Sequence, residues 1–210
     1  MVRSPILDVD RVQVDGARRT PPTTVVDASR ISVGASMTEL PMATATERIG
    51  DLPWIDEVHI RRMWPGTVRI VVTERRPLAT MAATSGWVRL DAAGRILDRV
   101  ARRPSLTVVS GTTSANDGSR LGPARRRVLA TLERLPSSLR SDAVSATLGA
   151  DGFEMALADG SEIVLGDAAD LRAQLAAIRT VRSQPDTGDC TRLDVRVPSA
   201  PSLTRTGPCA

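Results

Sequence analysis

Residues 52–77, LPWIDEVHIRRMWPGTVRIVVTERRP, constrain the fold more than any other part of the chain. Val58 and Ile60 alternate with His59 and Arg61, and Val68, Ile70 and Val72 alternate with Arg69, Val71 and Thr73. Pro65-Gly66 supplies the reversal between the two runs. A period of two on both arms predicts a β-hairpin with one face to bury.

The preceding residues supply a cover for that face. A first strand is predicted over residues 6–16, ending at Gly16, which takes turn conformations denied to larger residues. A helix is predicted to start near Thr20-Pro21, with Thr as cap, Pro in the first turn and Val25, Val26 and Ile31 as its apolar residues. A second is predicted from Ser36 or Thr38, with Pro41 in its first turn and Ala45, Ile49 and Leu52 at i, i+4 and i+7. Two helices laid across a three-stranded sheet give a compact α+β unit of order β-α-α-β-β. Trp54 and Trp64 are then expected to pack in its core or at its rim.

After Pro77 the pattern changes. Short strands are predicted at 78–83, 87–91, 95–100 and 106–110, then a polar loop over 111–122 and a helix over 123–135 with Val128, Leu129, Leu132 and Leu135 on one face. Strands come next at 143–149, 153–158 and 161–165, the last pair joined by Asp159-Gly160. A helix over 168–182 places Leu171, Leu175, Ile178 and Val181 on one stripe, and a final strand at 192–197 is stopped by Pro198. The second unit therefore reads as a mainly antiparallel sheet with two helices.

Composition narrows the function classes. An apolar fraction of 41% over 210 residues suffices for a core, and 25% charged residues argue for a folded, soluble chain. The pI of 10.6 suggests nucleic acid, yet the formal net charge is only +4. All 28 basic residues are Arg, so a small excess of a group that never loses its proton holds the pI high. The Arg clusters are not interleaved with stacking aromatics, which are 2% of the chain, and nucleic-acid binding is not expected. No run approaches the roughly 18 to 20 apolar residues of a membrane helix, and no signal-peptide core comes after Met1.

Catalysis lacks candidates. His59 is the one histidine and sits mid-strand, out of phase with Val58 and Ile60, with no nucleophile or carboxylate suggested around it. Asp56-Glu57 resembles an acid/base dyad only on paper, because adjacent strand residues point to opposite faces. No phosphate loop, nucleophile elbow or metal-ligand spacing is present, and neither a cofactor nor a metal is expected.

The spacing of Leu52-Pro53-Trp54, Arg61-Arg62-x-Trp64-Pro65, a β-run and Glu74-Arg75-x-Pro77 resembles the end of the POTRA domain of the FtsQ/DivIB bacterial cell-division family. The resemblance extends upstream through Ile6-Leu7-Asp8-Val9 and Val12-Gln13-Val14-Asp15-Gly16, and downstream to Leu193-Asp194-Val195-Arg196-Val197. It implies a POTRA domain over 6–76, a β-domain over 77–198 and a Pro-rich tail over 199–210. It also implies a non-enzymatic divisome scaffold, with this region extracytoplasmic at the division septum and starting just after a single membrane anchor helix that the chain does not contain. The implied partners are the coiled-coil protein FtsB/DivIC with FtsL alongside, and further the FtsK translocase and the septal synthase pair. Alternatives are a POTRA module of an outer-membrane assembly or secretion protein, and a cell-envelope hydrolase.

Carried over by motif, the partner surface is the last strand together with the segment after it: Leu193, Asp194, Val195, Arg196, Val197, Ser199, Ala200, Ser202 and Leu203. The strand has only an uncharged Pro-rich segment after it, so its outer edge is expected to be free to accept another chain. Cys190 and Cys209 flank that strand, and in an extracytoplasmic compartment they are candidates for a disulfide. The alternative is one buried thiol and one on the tail.

Overall fold

The structure, a computed structural model, describes residues 7–183 and 191–205. The chain divides between Arg76 and Pro77 into two compact units.

The first unit runs β1 (Arg11–Asp15), α1 (Pro22–Ser29), α2 (Met42–Gly50), β2 (Ile55–Met63) and β3 (Thr67–Glu74). Its sheet has the order β1-β3-β2, with β1 parallel and β2 antiparallel to β3. The period of two does what it predicts: Val68, Ile70 and Val72 are buried beneath the helices with Ala45 and Ile49 of α2. Each large aliphatic side chain buried this way stabilises the unit by about 1.5–3 kcal/mol. His59 and Arg61 lie on the opposite, exposed face. Gly16, at φ +88°, ends β1 where a Cβ would lie 2.0 Å from the Val72 carbonyl oxygen, so the close approach requires glycine.

Several expectations are corrected here. The first strand pairs with β3 only from Arg11, because the segment before it turns to the loop ahead of α2. Val9 N–H donates to Ala35 O at 2.8 Å, Met37 N–H donates to Leu7 O at 2.8 Å, and Asp8 bridges Ser36. Thr20 does not cap α1; Pro21 occupies that position with no side-chain cap, and the Thr20 N–H donates to Glu74 instead. The second helix begins at Met42, after Pro41, while the Ser36 and Thr38 hydroxyls bond each other at 2.9 Å. Trp54 is packed, with Arg19 stacked 4.7 Å from its ring, but Trp64 sits on the hairpin turn itself and is 55% exposed. A bulge between Ile55 and Glu57 interrupts the alternation, and Asp56 pairs with Arg75 at 2.9 Å.

The second unit holds β4 (Ala79–Ala83), β5 (Trp87–Leu90), β6 (Ile96–Val100), β7 (Thr107–Thr113), α3 (Pro123–Arg134), α4 (Ser137–Asp142), β8 (Ala143–Gly149), β9 (Gly152–Leu157), β10 (Glu162–Gly166), α5 (Leu171–Arg182), β11 (Thr191–Asp194) and β12 (Ser202–Arg205). They form one nine-stranded sheet of order β12-β11-β10-β9-β8-β7-β4-β5-β6. Most pairs are antiparallel; β4-β7, β7-β8 and β10-β11 are parallel. Val128, Leu129 and Leu132 of α3 and Leu171 and Ile178 of α5 join Phe153, Met155, Ile163 and Leu193 in one core. The short helix α4 was not expected. It opens with Pro136 at its N-cap and lies directly ahead of β8. The final strand is also shorter than expected, and within the segment expected as a tail Ser202–Arg205 returns as β12.

Candidate partner-binding edge

The sheet ends on a strand pair built from the last described residues. β10 takes β11 in parallel, with Ile163 opposite Leu193 and Val164 opposite Asp194. β11 takes β12 antiparallel, with Leu193 opposite Leu203, Asp194 opposite Ser202 and Arg192 opposite Thr204. The outer edge of β11 is therefore occupied by the chain itself, contrary to expectation. Among the described residues, the free edge at this end of the sheet belongs to β12, whose four residues are all exposed.

The two faces of this strand pair differ. Leu193 and Val195 are buried in the core, and the Val195 N–H donates to Val164 O at 3.0 Å. Leu203 shares the face of Leu193 but stands at the rim, 42% exposed. The other face is ionic. Arg192 lies 3.0 Å from Glu162, 3.5 Å from Asp151 and 3.6 Å from Glu154.

Arg196 joins this cluster from the turn, reaching Asp194 at 2.7 Å and Asp151 at 2.5 Å. The Arg196 guanidinium bonded to Asp194 holds that carboxyl below the usual aspartate range against the opposing effect of burial, helped by the Arg196 N–H. The same bond raises Arg196. The Gly166 backbone, at φ +69°, lies against the Arg196 stem, where a Cβ would meet Cγ at 2.9 Å.

Asp194 thus fixes the corner where β11 leaves the sheet, and Ala200 N–H closes the turn on Val197 O at 3.0 Å. Pro198 and Pro201 fall in this connection, outside both ladders, so neither costs a strand hydrogen bond. A strand bonded on one side leaves half its N–H and C=O groups pointing outward, which is the geometry that accepts an added strand.

The family of FtsQ-type POTRA domains matches residues 7–75. Over most of the chain the sequence is similar to curated FtsQ proteins. It is 28% identical to the cell division protein FtsQ of Streptomyces collinus over 207 residues, which is 93% of this chain and 77% of that protein. It is 29% identical to that of Corynebacterium glutamicum over 180 residues, 84% of this chain and 79% of the relative. Residues 7–75 are of the FtsQ-type POTRA family, and over most of its length the chain is similar to FtsQ cell division proteins.

Among solved structures, the major extracytoplasmic domain of the cell division protein DivIB from Geobacillus stearothermophilus is 18% identical. The match covers 51% of this chain and 97% of that one at a TM-score of 0.34. POTRA1-2 of Omp85 from Anabaena is 18% identical over 37% of this chain and 52% of that one, at 0.29.

The expected partner residues fall into three settings. Leu193 and Val195 are core residues; Asp194 and Arg196 hold the corner; Val197, Ser199, Ala200, Ser202 and Leu203 are exposed. Thr204 and Arg205 complete β12 and were missed. Their one sequence signal is the alternation Ser202-Leu203-Thr204 directly after Pro201. Asp151, Glu154 and Glu162 were also missed, being distant in sequence from the arginines they hold. Cys190 and Cys209 lie outside the described residues. Among the described residues no cluster of His, Cys, Asp or Glu is arranged to hold a metal, and no helix is long and apolar enough to cross a membrane.

Proposed function

We propose that this chain is a non-enzymatic scaffold of the bacterial divisome that captures an extended segment of an FtsB/DivIC-like protein on the outer edge of β12, with an FtsL-like protein alongside. The family supports a division role, since the relatives named above are cell division proteins. The observation that carries the finer reading is the edge strand itself: four exposed residues ending a nine-stranded sheet, with Leu203 offering an apolar contact beside backbone groups that no described strand pairs. The same reading puts this region outside the cytoplasm at the septum, attached through an anchor helix, with FtsK and the septal synthase pair as further contacts.

The test is a calorimetric titration of the chain with the extracytoplasmic segment of the neighbouring FtsB-like protein, beside Leu203→Glu and Ser202→Pro. Both changes sit at exposed positions, and circular dichroism checks that each variant is folded. Tight binding by the wild type, weakened at least about tenfold (about 1.4 kcal/mol) in both variants, is expected. A wild type that does not bind, or variants that bind as well as it does, would remove β12 as the site. Incubation with labelled peptidoglycan is expected to give no turnover.

A further inference from the structure

Leu7, Val33, Met63 and Trp64 are large apolar side chains left exposed, and the backbone brings all four to one end of the first unit. The β2–β3 turn closes over the segment leading into β1: Gly66 O accepts the N–H groups of Asp10 at 2.7 Å and Arg11 at 3.2 Å, and Arg11 faces Thr67 across the sheet. The bonds from Met37 N–H to Leu7 O and from Gly34 N–H to Val9 O, both 2.8 Å, draw Leu7 and the Val33 loop to the same end. The chain leaves this unit after Glu74, at the other end of β3.

The tip has the chemistry of an interfacial anchor. Trp64 is 55% exposed and Met63 47%. An indole has an apolar body and one N–H donor, which suits the boundary between headgroups and acyl chains. Behind them, the hairpin from Val58 to Thr73 carries Arg61, Arg62 and Arg69 and no carboxylate. The acids at this end, Asp8, Asp10 and Glu39, belong to the leading segment and the loop, and Asp10 is turned onto Gly66. Arg69 is held by Asp15 at 2.6 Å and Arg62 reaches Leu40 O at 3.3 Å, while Arg61 stands exposed on the outer face two residue pairs behind Met63. Long arginine stems at that depth place their charges among phosphates while the tip goes deeper. The turn lies beyond the last pair of the ladder, Met63 opposite Thr67, and its Gly66 carbonyl already has two donors, so the tip presents side chains more than backbone groups.

We propose that the Met63-Trp64 tip dips into the headgroup layer of a bilayer containing anionic lipid, fixing the orientation of this unit against the membrane. The test tethers the full chain through an N-terminal hexahistidine to nickel-chelating lipid in vesicles of phosphatidylethanolamine and phosphatidylglycerol with brominated acyl chains. Bromine quenching of tryptophan emission is expected. It should largely vanish in Trp64→Phe, which keeps an apolar tip and leaves Trp54 and Trp87 as reporters. Met63→Glu should cut the quenching by about half or more, because a carboxylate resists leaving water. Replacing phosphatidylglycerol with phosphatidylcholine should lower it as well. Unquenched wild-type emission, or quenching unchanged in Trp64→Phe or Met63→Glu, would overturn the anchor; quenching unchanged by the lipid exchange would overturn its preference for anionic lipid.

Discussion

Glu74 holds Thr20: its Oε1 accepts the Thr20 N–H at 2.9 Å, and the same carboxylate accepts from Arg18 at 3.0 Å and Arg19 at 2.8 Å. Three successive backbone donors ahead of α1 are thereby satisfied by the last residue of β3. Burial pushes the Glu74 carboxyl up, but the three N–H bonds and the Arg19 charge outweigh it, and the group lies below its ordinary value. A depressed carboxylate adds stability above its unfolded pKa of about 4.3 and loses it as pH falls through the folded value. Glu74→Gln is therefore expected to lower the urea midpoint at neutral pH and to flatten the loss of stability on acidification. Glu74→Ala should cost roughly 1–2 kcal/mol, the lower part of the usual range because the site is partly open to solvent. Equal acid sensitivity of wild type and Glu74→Gln would show that the bonds contribute no linkage.

This contact also marks the limit of what the sequence makes legible. The hairpin could be read because its burial obeys a period of two, and the helices of the second unit because Val128, Leu129 and Leu132, and Leu171 and Ile178, recur at helical spacing. The role of Glu74 could not, since its donors lie 54 to 56 residues away. Trp64 was misjudged because its type favours packing while its position, at a turn, decides exposure. The C-terminal edge failed for a different reason. β12 is four residues long and comes after two prolines, so it carries too little pattern to register as a strand, and its pairing depends on where the turn after Asp194 points.

Two glycines with similar backbone angles separate strain from space. Gly16 at φ +88° has the Val72 carbonyl oxygen 2.0 Å from where a Cβ would stand, while Gly34 at φ +85° has nothing within 4 Å. Both alanine variants incur the left-handed backbone strain of about 1 kcal/mol. Only Gly16→Ala must also push β3 away, so its thermal midpoint should fall well below that of Gly34→Ala. Matching midpoints would mean that β1 can shift freely against Val72.

Arg192 stands among three carboxylates on the open face of the sheet. Exposed pairs contribute little singly, up to about 1 kcal/mol, but removing the shared cation leaves Glu154 and Glu162 without it, while Asp151 keeps Arg196. Arg192→Gln should lower stability by about 1 kcal/mol at low salt, with the deficit shrinking in concentrated salt as these charges are screened. A deficit independent of salt would assign the effect to lost packing of the side-chain stem.

Arg196 acts on the proposed binding edge without belonging to it. Its two-pronged bond to Asp194, at 2.9 Å through Nε and 2.7 Å through Nη2, and its reach to Asp151 fix the corner from which β12 returns. Hydrogen exchange of the Ser202 and Thr204 amides, which face β11, should therefore accelerate in Arg196→Ala relative to those of β9. Arg196→Lys should fall between, since a point charge cannot make the paired bonds. The Asp194 carboxyl is depressed, so this hold is complete above the ordinary aspartate value of about 3.9 and is released as pH falls through the folded one. Acid should thus speed exchange at β12 in the wild type, after correction for intrinsic rates, more than in Arg196→Ala, where the hold is already gone. If exchange at β12 is the same in all three proteins, the corner is held by β11 pairing alone, and the edge offered to a partner does not depend on the Arg196–Asp194 contact.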